Sequence, residues 1–457
     1  MGKTKVCLVF PRFGYISGDP PLGLGYLAAQ LQKDPALDVS IVDTTFMHSL
    51  DKALDELNRI MPHVVGIYTD GMMSRSALAV AHWSTRHRIY TVFGGPQATV
   101  APEDYIAHSD AVVLGEGESA LTDIVRNYHR NDLSGIAGVW WKRNGEIAKN
   151  EPRQEFSDLD GLPFPRRDLL PMDKYLYYWN YLDVLGVGNR GTTMIASRGC
   201  PFSCTYCQPT MRKMFGEKIR FRSPENVVAE MVMLRRQYHV DGVFFHDDTF
   251  TLNRAWLNEF CRALDTHKAG LLWGCNSRID MVDEDMLRLL HAHGLRNIHF
   301  GIESGSQRIL DQSYDKKIRL EQVADVIALT RRIGIFTMGF FMLGAPTETE
   351  GEMDRTISFA RNLPLDEATF SLTTPFQGTY LHDRLLHHDG IDDSHGPLNY
   401  YSTYTIKNGV GKRRIKSLQW KALVLFYSHP WRLKYIIRHI FSWHGLRKLL
   451  HKVRRFI

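Results

Sequence analysis

Two stretches of the chain alternate short, nearly uncharged runs of β-branched and aromatic residues with longer runs of helical spacing. Short uncharged runs are typical of strands buried on both faces of a parallel sheet. The first series predicts strands at Lys5–Phe10, Asp38–Val42, Val64–Tyr68, Tyr90–Phe93 and Ala111–Leu114. Because helical runs separate these strands, the sequence predicts an α/β, doubly wound, flavodoxin-like sheet, in which ligands bind at the carboxyl ends of the strands.

The first series ends in a predicted hairpin around Asn144 and Gly145, since Asn-Gly is typical of two-residue β-turns. The first domain is therefore predicted to span residues 1–148, and the four prolines in residues 149–190 indicate a linker. The second series predicts six strands: Thr192–Ser197, Gly242–His246, Trp273–Arg278, Asn297–Gly301, Phe336–Leu343 and Ala368–Leu372. Six strand–helix units are fewer than a closed barrel needs, so residues 191–385 predict a partial (β/α)6 barrel with its chemistry at the carboxyl ends of the strands.

Charge is distributed unevenly along the chain. Residues 394–457 carry 14 Lys and Arg and no Asp or Glu, so a total net charge of +6 leaves −8 for the first 393 residues. Charge alone therefore does not make the body a nucleic-acid binder. Residues 386–457 are predicted to form a basic, helical C-terminal tail.

Apolar residues recur at helical spacing near the end of this tail, among the cations. They are Leu433, Ile436, Ile437, Ile440, Leu446, Leu449, Leu450, Val453 and Ile457. An apolar stripe beside a cationic face is typical of a helix that lies in a membrane interface. Two alternatives stay open: the stripe packs on the body of the protein, or the tail binds RNA.

The cysteine content and the N-terminal sequence bear on the cellular compartment. Six cysteines in 457 residues do not form a disulfide framework. We expect no signal peptide, because Lys3 and Lys5 lead directly into a short strand-like run. We expect no membrane-spanning helix, because no uncharged apolar stretch of about 18 residues is present. The protein is therefore expected in the cytoplasm, and the interfacial tail would place it peripherally at the inner face of the membrane.

Three of the six cysteines lie within eight residues, directly after the first strand of the second series. They are Cys200, Cys204 and Cys207. Thiolates this close together can bind one metal centre, and three ligands on an iron–sulfur cluster leave one iron with an open coordination position. The alternatives are a zinc site, for which no fourth ligand lies at a finger-like spacing, or buried unpaired thiols. The other cysteines are expected in the apolar core; they are Cys7, Cys261 and Cys275.

The spacing Cys-x3-Cys-x2-Cys, with Tyr206 before the last cysteine, resembles the signature of the radical S-adenosylmethionine (SAM) enzymes. The order of motifs along residues 192–385 is similar to that family as well. The resemblance implies that the three cysteines ligate a [4Fe-4S] cluster, which holds SAM through its amino and carboxylate groups. It also implies that one-electron reduction cleaves SAM to methionine and a 5′-deoxyadenosyl radical, which abstracts hydrogen from an unactivated carbon.

The resemblance also places residues at four other strand ends near SAM. Asp247 and Asp248 end the second strand, where such enzymes contact the SAM amino group. Arg278 ends the third strand, where it would pair with the SAM carboxylate. Solvated or helix-capping carboxylates and a surface ion pair are the respective alternatives.

The fourth and fifth strands supply the remaining SAM contacts that the resemblance implies. Glu303 and Ser304 end the fourth strand, where Glu303 would accept hydrogen bonds from the ribose hydroxyls or the amine. Gly344 follows the fifth strand, in a segment that lets the backbone approach the adenine, and a solvated or capping role is the alternative for Glu348.

The first domain resembles the N-terminal domain of cobalamin-binding radical SAM enzymes. The resemblance rests on residues 20–29 at the first helix, Gly94 and Gly95 after the fourth strand, and Gly115 after the fifth. Glycines at strand ends let a bulky ligand approach the backbone, although they also form tight strand-to-helix turns. The loop at residues 11–19 departs from the pattern, because it lacks the histidine that ligates cobalt in many such domains. Any cobalamin bound here is expected to lack a lower histidine ligand from this loop.

Together these motifs predict a cobalamin-dependent radical SAM enzyme that methylates an unactivated carbon or phosphorus centre. Radical cyclisation or rearrangement of a porphyrin- or lipid-type ring is the alternative reaction. A cobalamin or redox sensor is the alternative of another class. We expect a small-molecule or lipid-like substrate, a reductant such as flavodoxin or ferredoxin, and no nucleic-acid partner.

Overall fold

The chain forms two compact units that are interleaved in sequence. The computed structural model describes residues 2–130, 132–153, 158–182, 190–385 and 409–433. The first unit consists of the residues up to Tyr178 together with Gln208–Arg220, and the second consists of Trp179–Cys207 and the chain from Phe221 onward. The predicted domain boundaries remain predictions.

The first unit is built on a seven-stranded sheet. Its strands are β1 (Thr4–Phe10), β2 (Leu37–Asp43), β3 (Val64–Tyr68), β4 (Tyr90–Gly94), β5 (Ala111–Val113), β6 (Val139–Arg143) and β7 (Glu146–Lys149). They are ordered β2-β1-β3-β4-β5-β6-β7, and the first five are parallel. This order confirms the predicted flavodoxin-like fold. β6 and β7 form the predicted hairpin, with a left-handed backbone at Asn144 (φ 51°) and Gly145 (φ 88°).

Helices cover both faces of this sheet. They are α1 (Leu22–Leu31), α2 (Leu50–Ile60), α3 (Ser74–Arg86), α4 (Pro96–Val100), α5 (Pro102–Ile106), α6 (Glu118–Asn127), α7 (Met172–Tyr178) and α8 (Thr210–Phe215), with 3₁₀ helices at Tyr128–Arg130 and Arg167–Leu169. Successive residues of β1 point to opposite faces: Leu8 packs with residues of α1 and α6, whereas Cys7 and Val9 pack with residues of α2 to α5. All three are fully buried, as expected for a strand covered on both sides.

The segment with α8 belongs to the first unit although it follows the cysteine loop in sequence. Arg220 at its end donates to the Glu116 carboxylate at 2.8 Å, and both side chains are largely buried. The carbonyls of Lys213 and Met214 lie 3.4 Å from where a Cβ on Gly115 would stand. The segment therefore completes the packing around the loop after β5.

The second unit contains a six-stranded parallel sheet. Its strands are β8 (Gly191–Met194), β11 (Gly242–Phe245), β12 (Leu272–Ser277), β13 (Leu295–Glu303), β14 (Phe336–Leu343) and β15 (Glu367–Leu372); two-residue strands β9 (Ser197–Arg198) and β10 (Arg220–Phe221) lie outside it. The order is β15-β14-β13-β12-β11-β8. Since β8 and β15 are the two edges, the sheet is an open, curled barrel, and this confirms the predicted partial barrel.

Helices alternate with these strands, and most of them begin at a residue whose side chain caps the helix. They are α9 (Pro224–Tyr238), α10 (Arg254–His267), α11 (Glu284–Ala292), α12 (Leu320–Ile333), α13 (Glu350–Asn362) and α14 (Tyr380–Arg384), with 3₁₀ helices at Phe250–Leu252 and Ile279–Met281 and a π-helical turn at Ile309–Ser313. Ser223, Asn253 and Asp283 each accept a backbone N–H at the start of a helix. Thr349 and Glu352 form a reciprocal capping box at the start of α13.

The described part of the C-terminal tail packs on the barrel. Helix α15 (Lys412–Tyr427) buries Leu418 and Phe426 fully, and Gln419 Nε2 donates to the Phe370 carbonyl of β15 at 2.6 Å. The buried Arg432 donates to the carbonyls of Arg361, Leu363, Leu365 and Phe426. This part of the tail therefore extends the body of the protein.

The predicted amphipathic stripe lies outside the described residues from position 434 onward. None of the helices in the described part of the chain has the length and apolar character that crossing a bilayer requires.

Candidate active site

The carboxyl ends of the barrel strands bring the predicted site residues of the second unit to one edge of the sheet. The cysteine loop follows β9, Asp247 and Asp248 follow β11, and Arg278 follows β12. Glu303 is the last residue of β13, and Gly344 follows β14. Ligands of parallel α/β sheets bind at this edge, as the sequence analysis expected.

The cysteine loop is fixed by the segment that follows β13. Thr205 donates from its backbone N–H to the Tyr314 carbonyl at 3.0 Å and from its hydroxyl to the Ser313 carbonyl at 2.6 Å. Ser203 donates to the Asp315 carboxylate at 2.6 Å, and the N–H of Cys207 donates to the Cys204 carbonyl at 3.0 Å. These bonds fix the loop on both sides of Cys204.

The three thiols lie close enough to influence each other. Burial, with smaller contributions from Asp248 and Cys204, raises the pKa of Cys200 to about 11. In the described residues, no three His, Cys, Asp or Glu side chains already stand in a metal-binding arrangement. The donor set nevertheless fits an iron–sulfur cluster, because three soft sulfur ligands share one loop.

The remaining cysteines are core residues, as predicted. Cys7 and Cys275 are fully buried, Cys261 is 2% exposed, and none forms a disulfide. Burial raises the pKa of Cys261 to about 12, which is typical of an inert thiol in the core.

Arg278 reaches the cysteine loop. Its guanidinium pairs with Asp280 through Nε and Nη2, at 3.0 and 2.9 Å. Nη2 also donates to the Lys316 carbonyl at 2.8 Å, and Nη1 lies 3.8 Å from Cys204 Sγ. The Phe202 ring, within the cysteine loop, lies 3.7 Å from Arg278 Cζ. The side chain is 6% exposed, so Arg278 does not form a surface ion pair.

Glu303 forms a buried cluster with Lys316 and Tyr206. Lys316 Nζ donates to Glu303 Oε1 at 2.9 Å and to the Tyr206 hydroxyl at 3.1 Å, and that hydroxyl donates to Glu303 Oε1 at 3.2 Å. Glu303 has φ +70° and lies where the register between β13 and β14 shifts. Such a backbone costs about 1–3 kcal/mol for a residue other than glycine, and strain of this kind is concentrated at functional sites.

Gly301 leaves room for this cluster, because a Cβ there would stand 2.6 Å from both Glu303 Oε1 and Lys316 Nζ. Lys316 was not among the site residues predicted from the sequence. A lysine pair at positions 316 and 317, shortly after a strand that ends in a carboxylate, is the signal that could have identified it.

The two aspartates after β11 have different environments. Asp247 is buried and accepts hydrogen bonds from the Ala196 N–H and the Ser197 hydroxyl, so its carboxylate joins β11 to the segment after β8. Asp248 is exposed to solvent. Of the two, Asp248 is the one with a carboxylate available to a ligand.

Ser304 and Gly344 are both engaged with the surrounding fold. The Ser304 hydroxyl lies 3.2 Å from the Thr356 hydroxyl of α13. Gly344 and Ala345 donate their N–H groups to Glu348 Oε2 at 2.7 and 2.9 Å, and burial raises the pKa of Glu348 to about 7. Because Glu348 is buried and shapes the turn after β14, it is not a solvated carboxylate.

The glycines of the first unit have separate roles. A Cβ on Gly95 would stand 2.6 Å from the Thr69 carbonyl, and Gly95 has φ +104°, so the turn itself requires glycine there. Gly115 donates its N–H to the Thr99 hydroxyl at 3.0 Å. A Cβ on Gly94 would meet no atom within 4 Å. Gly94 therefore leaves open space at the carboxyl edge of β4, which fits a bulky ligand such as cobalamin.

The loop after β1 is held by hydrogen bonds and contains no histidine. Arg12 donates to the Asp19 carbonyl at 3.0 Å and to the Thr45 hydroxyl at 3.1 Å. The Tyr175 hydroxyl donates to the Asp43 carboxylate and, at 3.0 Å, to Thr45. The residues of this loop supply no imidazole that could reach a metal.

Two family models match the chain. One, the radical SAM superfamily, matches residues 194–360, and the other, the B12 binding domain, matches residues 19–125. A methyltransferase of Pyrococcus horikoshii, whose role is uncharacterized, is 32% identical over 442 residues, which cover 93% of this chain and 91% of that protein.

Two further relatives act on different molecules. The cytidylyl-2-hydroxyethylphosphonate methyltransferase of Streptomyces wedmorensis is 29% identical and covers 79% of this chain and 77% of its own length. The anaerobic magnesium-protoporphyrin IX monomethyl ester cyclase of Rubrivivax gelatinosus is 28% identical, with coverage of 81% and 68%.

Among solved structures, the radical SAM methyltransferase TsrM of Kitasatospora setae, with cobalamin and a [4Fe-4S] cluster bound, has a similar fold. Its TM-score is 0.69 at 18% identity, over 86% of this chain and 78% of that chain.

The fold and the matches define a radical SAM enzyme with a B12-binding domain. The chain belongs to the cobalamin-dependent radical SAM family. The predicted enzyme class is thereby confirmed, as are the predicted cofactors, which are a [4Fe-4S] cluster, SAM and cobalamin. As a member of this family, the enzyme works on a small-molecule substrate with an external reductant.

Proposed function

We propose that the enzyme transfers a methyl group to an unactivated carbon or phosphorus centre of a small, lipid-like molecule, with flavodoxin or ferredoxin as its reductant. The observation that carries the proposal is the cysteine loop, which lies at the carboxyl edge of an open parallel barrel beside the Glu303 cluster. When bound, the iron–sulfur cluster supplies the electron that cleaves SAM, and cobalamin carries the methyl group.

The residues of the barrel have distinct tasks in this proposal. Cys200, Cys204 and Cys207 hold the cluster, and the bonds of Ser203 and Thr205 keep their loop in place. Asp248 has an accessible carboxylate for the SAM amino group. Asp247 and Ser304, whose polar groups form hydrogen bonds within the fold, stabilise the carboxyl edge of the sheet and do not contact SAM directly.

The Glu303 cluster presents a carboxylate that is already oriented. Lys316 and Tyr206 both contact Oε1, so Oε2 faces the ribose hydroxyls or the amine of SAM in our proposal. Gly344 lets the backbone approach the adenine, and Glu348 holds that turn through two N–H groups. In the first unit, Gly94, Gly95 and Gly115 shape the cobalamin-binding edge, and the open space at Gly94 admits the ring.

Anaerobic reconstitution tests the assignment of the cysteines. The wild-type protein should bind about four iron atoms per chain, as one cubane cluster requires. It should also release 5′-deoxyadenosine from SAM under dithionite. Cys204→Ala should lose both properties, whereas the matched control Cys261→Ala removes a core cysteine and should keep both. Retention of cluster and cleavage by Cys204→Ala would contradict the proposal.

Radical cyclisation or rearrangement of a porphyrin- or lipid-type ring is the second candidate, and the similarity to the ester cyclase of Rubrivivax gelatinosus favours keeping it. The two reactions differ in the fate of the SAM methyl group. With SAM that carries a trideuterated methyl group, a methylated product gains three mass units by methyl transfer, whereas a cyclised product carries no label.

We further propose that residues 434–457 hold the enzyme reversibly on anionic membranes. This segment has seven Lys and Arg and no acid, and each cation near an anionic surface contributes about 1 kcal/mol. Full-length protein should float with phosphatidylglycerol-containing vesicles and not with phosphatidylcholine alone. A chain that ends after Leu433 keeps α15 and Arg432 and should not float. Equal flotation of both chains would show that residues 434–457 do not bind the membrane.

A further inference from the structure

The family resemblance implies that Arg278 pairs with the carboxylate of SAM, but most of its guanidinium is already engaged within the protein. Asp280 accepts from Nε and Nη2, the Lys316 carbonyl accepts from Nη2, and Cys204 Sγ lies beside Nη1. These contacts use four of the five N–H groups of the guanidinium, so a ligand carboxylate could form a two-pronged pair with Arg278 only by displacing a partner within a buried site, which leaves that partner without its hydrogen bond.

The arrangement also constrains the cysteine loop itself. Phe202 lies between the first two cysteines, and its ring packs on the face of the Arg278 guanidinium at 3.7 Å. Arg278 thus contacts the loop at two points, a ring and a sulfur atom. Asp280 fixes the opposite edge of the guanidinium by a two-pronged ion pair, a geometry that arginine adopts with carboxylates and lysine cannot.

We propose that Arg278 is a positioning residue that holds the cysteine loop and raises the reduction potential of the cluster through Cys204. This inference rests on the proposed function, because it requires a cluster on Cys200, Cys204 and Cys207. Reduction adds one electron from the external reductant to the cluster and makes it more negative, with no bond formed or broken. A guanidinium beside a ligating sulfur therefore stabilises the reduced form more than the oxidised form.

The test is an EPR-monitored redox titration of the reconstituted cluster without SAM. Loss of one charge-assisted hydrogen bond should lower the ratio of reduced to oxidised cluster in Arg278→Gln about tenfold at a fixed potential. A tenfold change corresponds to a shift of about 59 mV toward negative potentials for one electron. Iron content should stay near that of the wild type, and Arg278→Lys should fall between the two because it keeps the charge and loses the fork.

Two further variants separate charge from structure. Arg278→Gln with Asp280→Asn removes both members of the pair and leaves the net local charge unchanged, so the part of the shift that comes from the lost hydrogen bond to Cys204 should persist, and a return to the wild-type potential would overturn the inference. Arg254→Gln breaks an exposed ion pair with Asp283 in the same unit and should leave the potential unchanged. If Arg278→Gln binds too little iron to titrate, the potential of Arg278→Lys decides the question.

The outcomes distinguish this inference from the proposed function. If wild-type protein binds no cluster, or Cys204→Ala binds one, the proposed function fails first. If the potential of Arg278→Gln equals that of Arg254→Gln while its affinity for SAM in equilibrium dialysis falls tenfold, Arg278 is a SAM ligand and the inference is overturned. A shifted potential with unchanged SAM affinity supports it.

Discussion

Phe426 on α15 provides a direct test of whether the C-terminal tail is part of the barrel. The side chain is 1% exposed, packs against Phe370 of β15, and has the Arg432 guanidinium 3.6 Å from its ring centre. Truncation of a buried phenylalanine to alanine costs about 3–5 kcal/mol in lost transfer energy and cavity. For a unit of this size, each kcal/mol lowers the melting temperature by about 2–4 °C, so Phe426→Ala should lower it by about 10 °C.

The assay is thermal unfolding of the reconstituted protein, followed by circular dichroism under nitrogen. Val424→Ala is the matched control, because Val424 lies on the same helix, two positions away, and is 62% exposed. Its melting temperature should stay close to that of the wild type, since surface substitutions change stability by about 0.5 kcal/mol or less. Equal melting temperatures for the two variants would show that α15 does not stabilise the barrel.

Three further predictions concern single residues. Gly95→Ala should lower the free energy of unfolding by about 1–3 kcal/mol, because Gly95 has a positive φ. Gly94→Ala should unfold like the wild type but bind less cobalamin, which is measured by absorbance after gel filtration. Arg308 holds the pKa of Glu352 well below its usual range, so the Glu352 carboxylate stabilises the fold above about pH 4.5 and loses that effect as the pH falls. In Glu352→Gln, the melting temperature should therefore fall less on acidification than it does in the wild type. Burial raises the pKa of Glu348 from 4.5 to about 7, so its contribution to the stability of the fold is present below pH 4.5 and is lost as the pH rises through 7. Glu348→Gln should remove this dependence of stability on pH. For either glutamate, a variant whose pH profile of melting temperature equals that of the wild type would refute the assignment.

The fold was largely predictable because burial on both faces leaves a clear mark in the sequence. Runs such as Val64–Tyr68 and Phe336–Leu343 coincide with observed strands at both ends. The cysteine triplet could also be predicted, because its three cysteines are close together in the sequence. Such features can be predicted from the sequence because the residues that define them are neighbours in the chain.

The remaining features depend on contacts between distant residues. Lys316 meets Glu303 and Tyr206 only when β13 and the cysteine loop are assembled, and the partners of Arg278 come from three separate segments. The burial of Asp247 by Ser197 has the same origin. No spacing in the sequence records such contacts, so roles assigned by strand position alone were incomplete.

The interleaving of the two units has a consequence for how the protein is made. The helix at Thr210–Phe215 and the Arg220–Glu116 ion pair complete the first unit, yet they follow the cysteine loop in sequence. During synthesis, a nascent chain released only to Tyr178 still lacks this segment, so the first unit cannot finish folding before Arg220 has left the ribosome. By then Cys200, Cys204 and Cys207 have already emerged, so the cysteine loop leaves the ribosome before the first unit is complete. An isolated fragment 1–178 should accordingly be less stable than one to which residues 208–220 are joined.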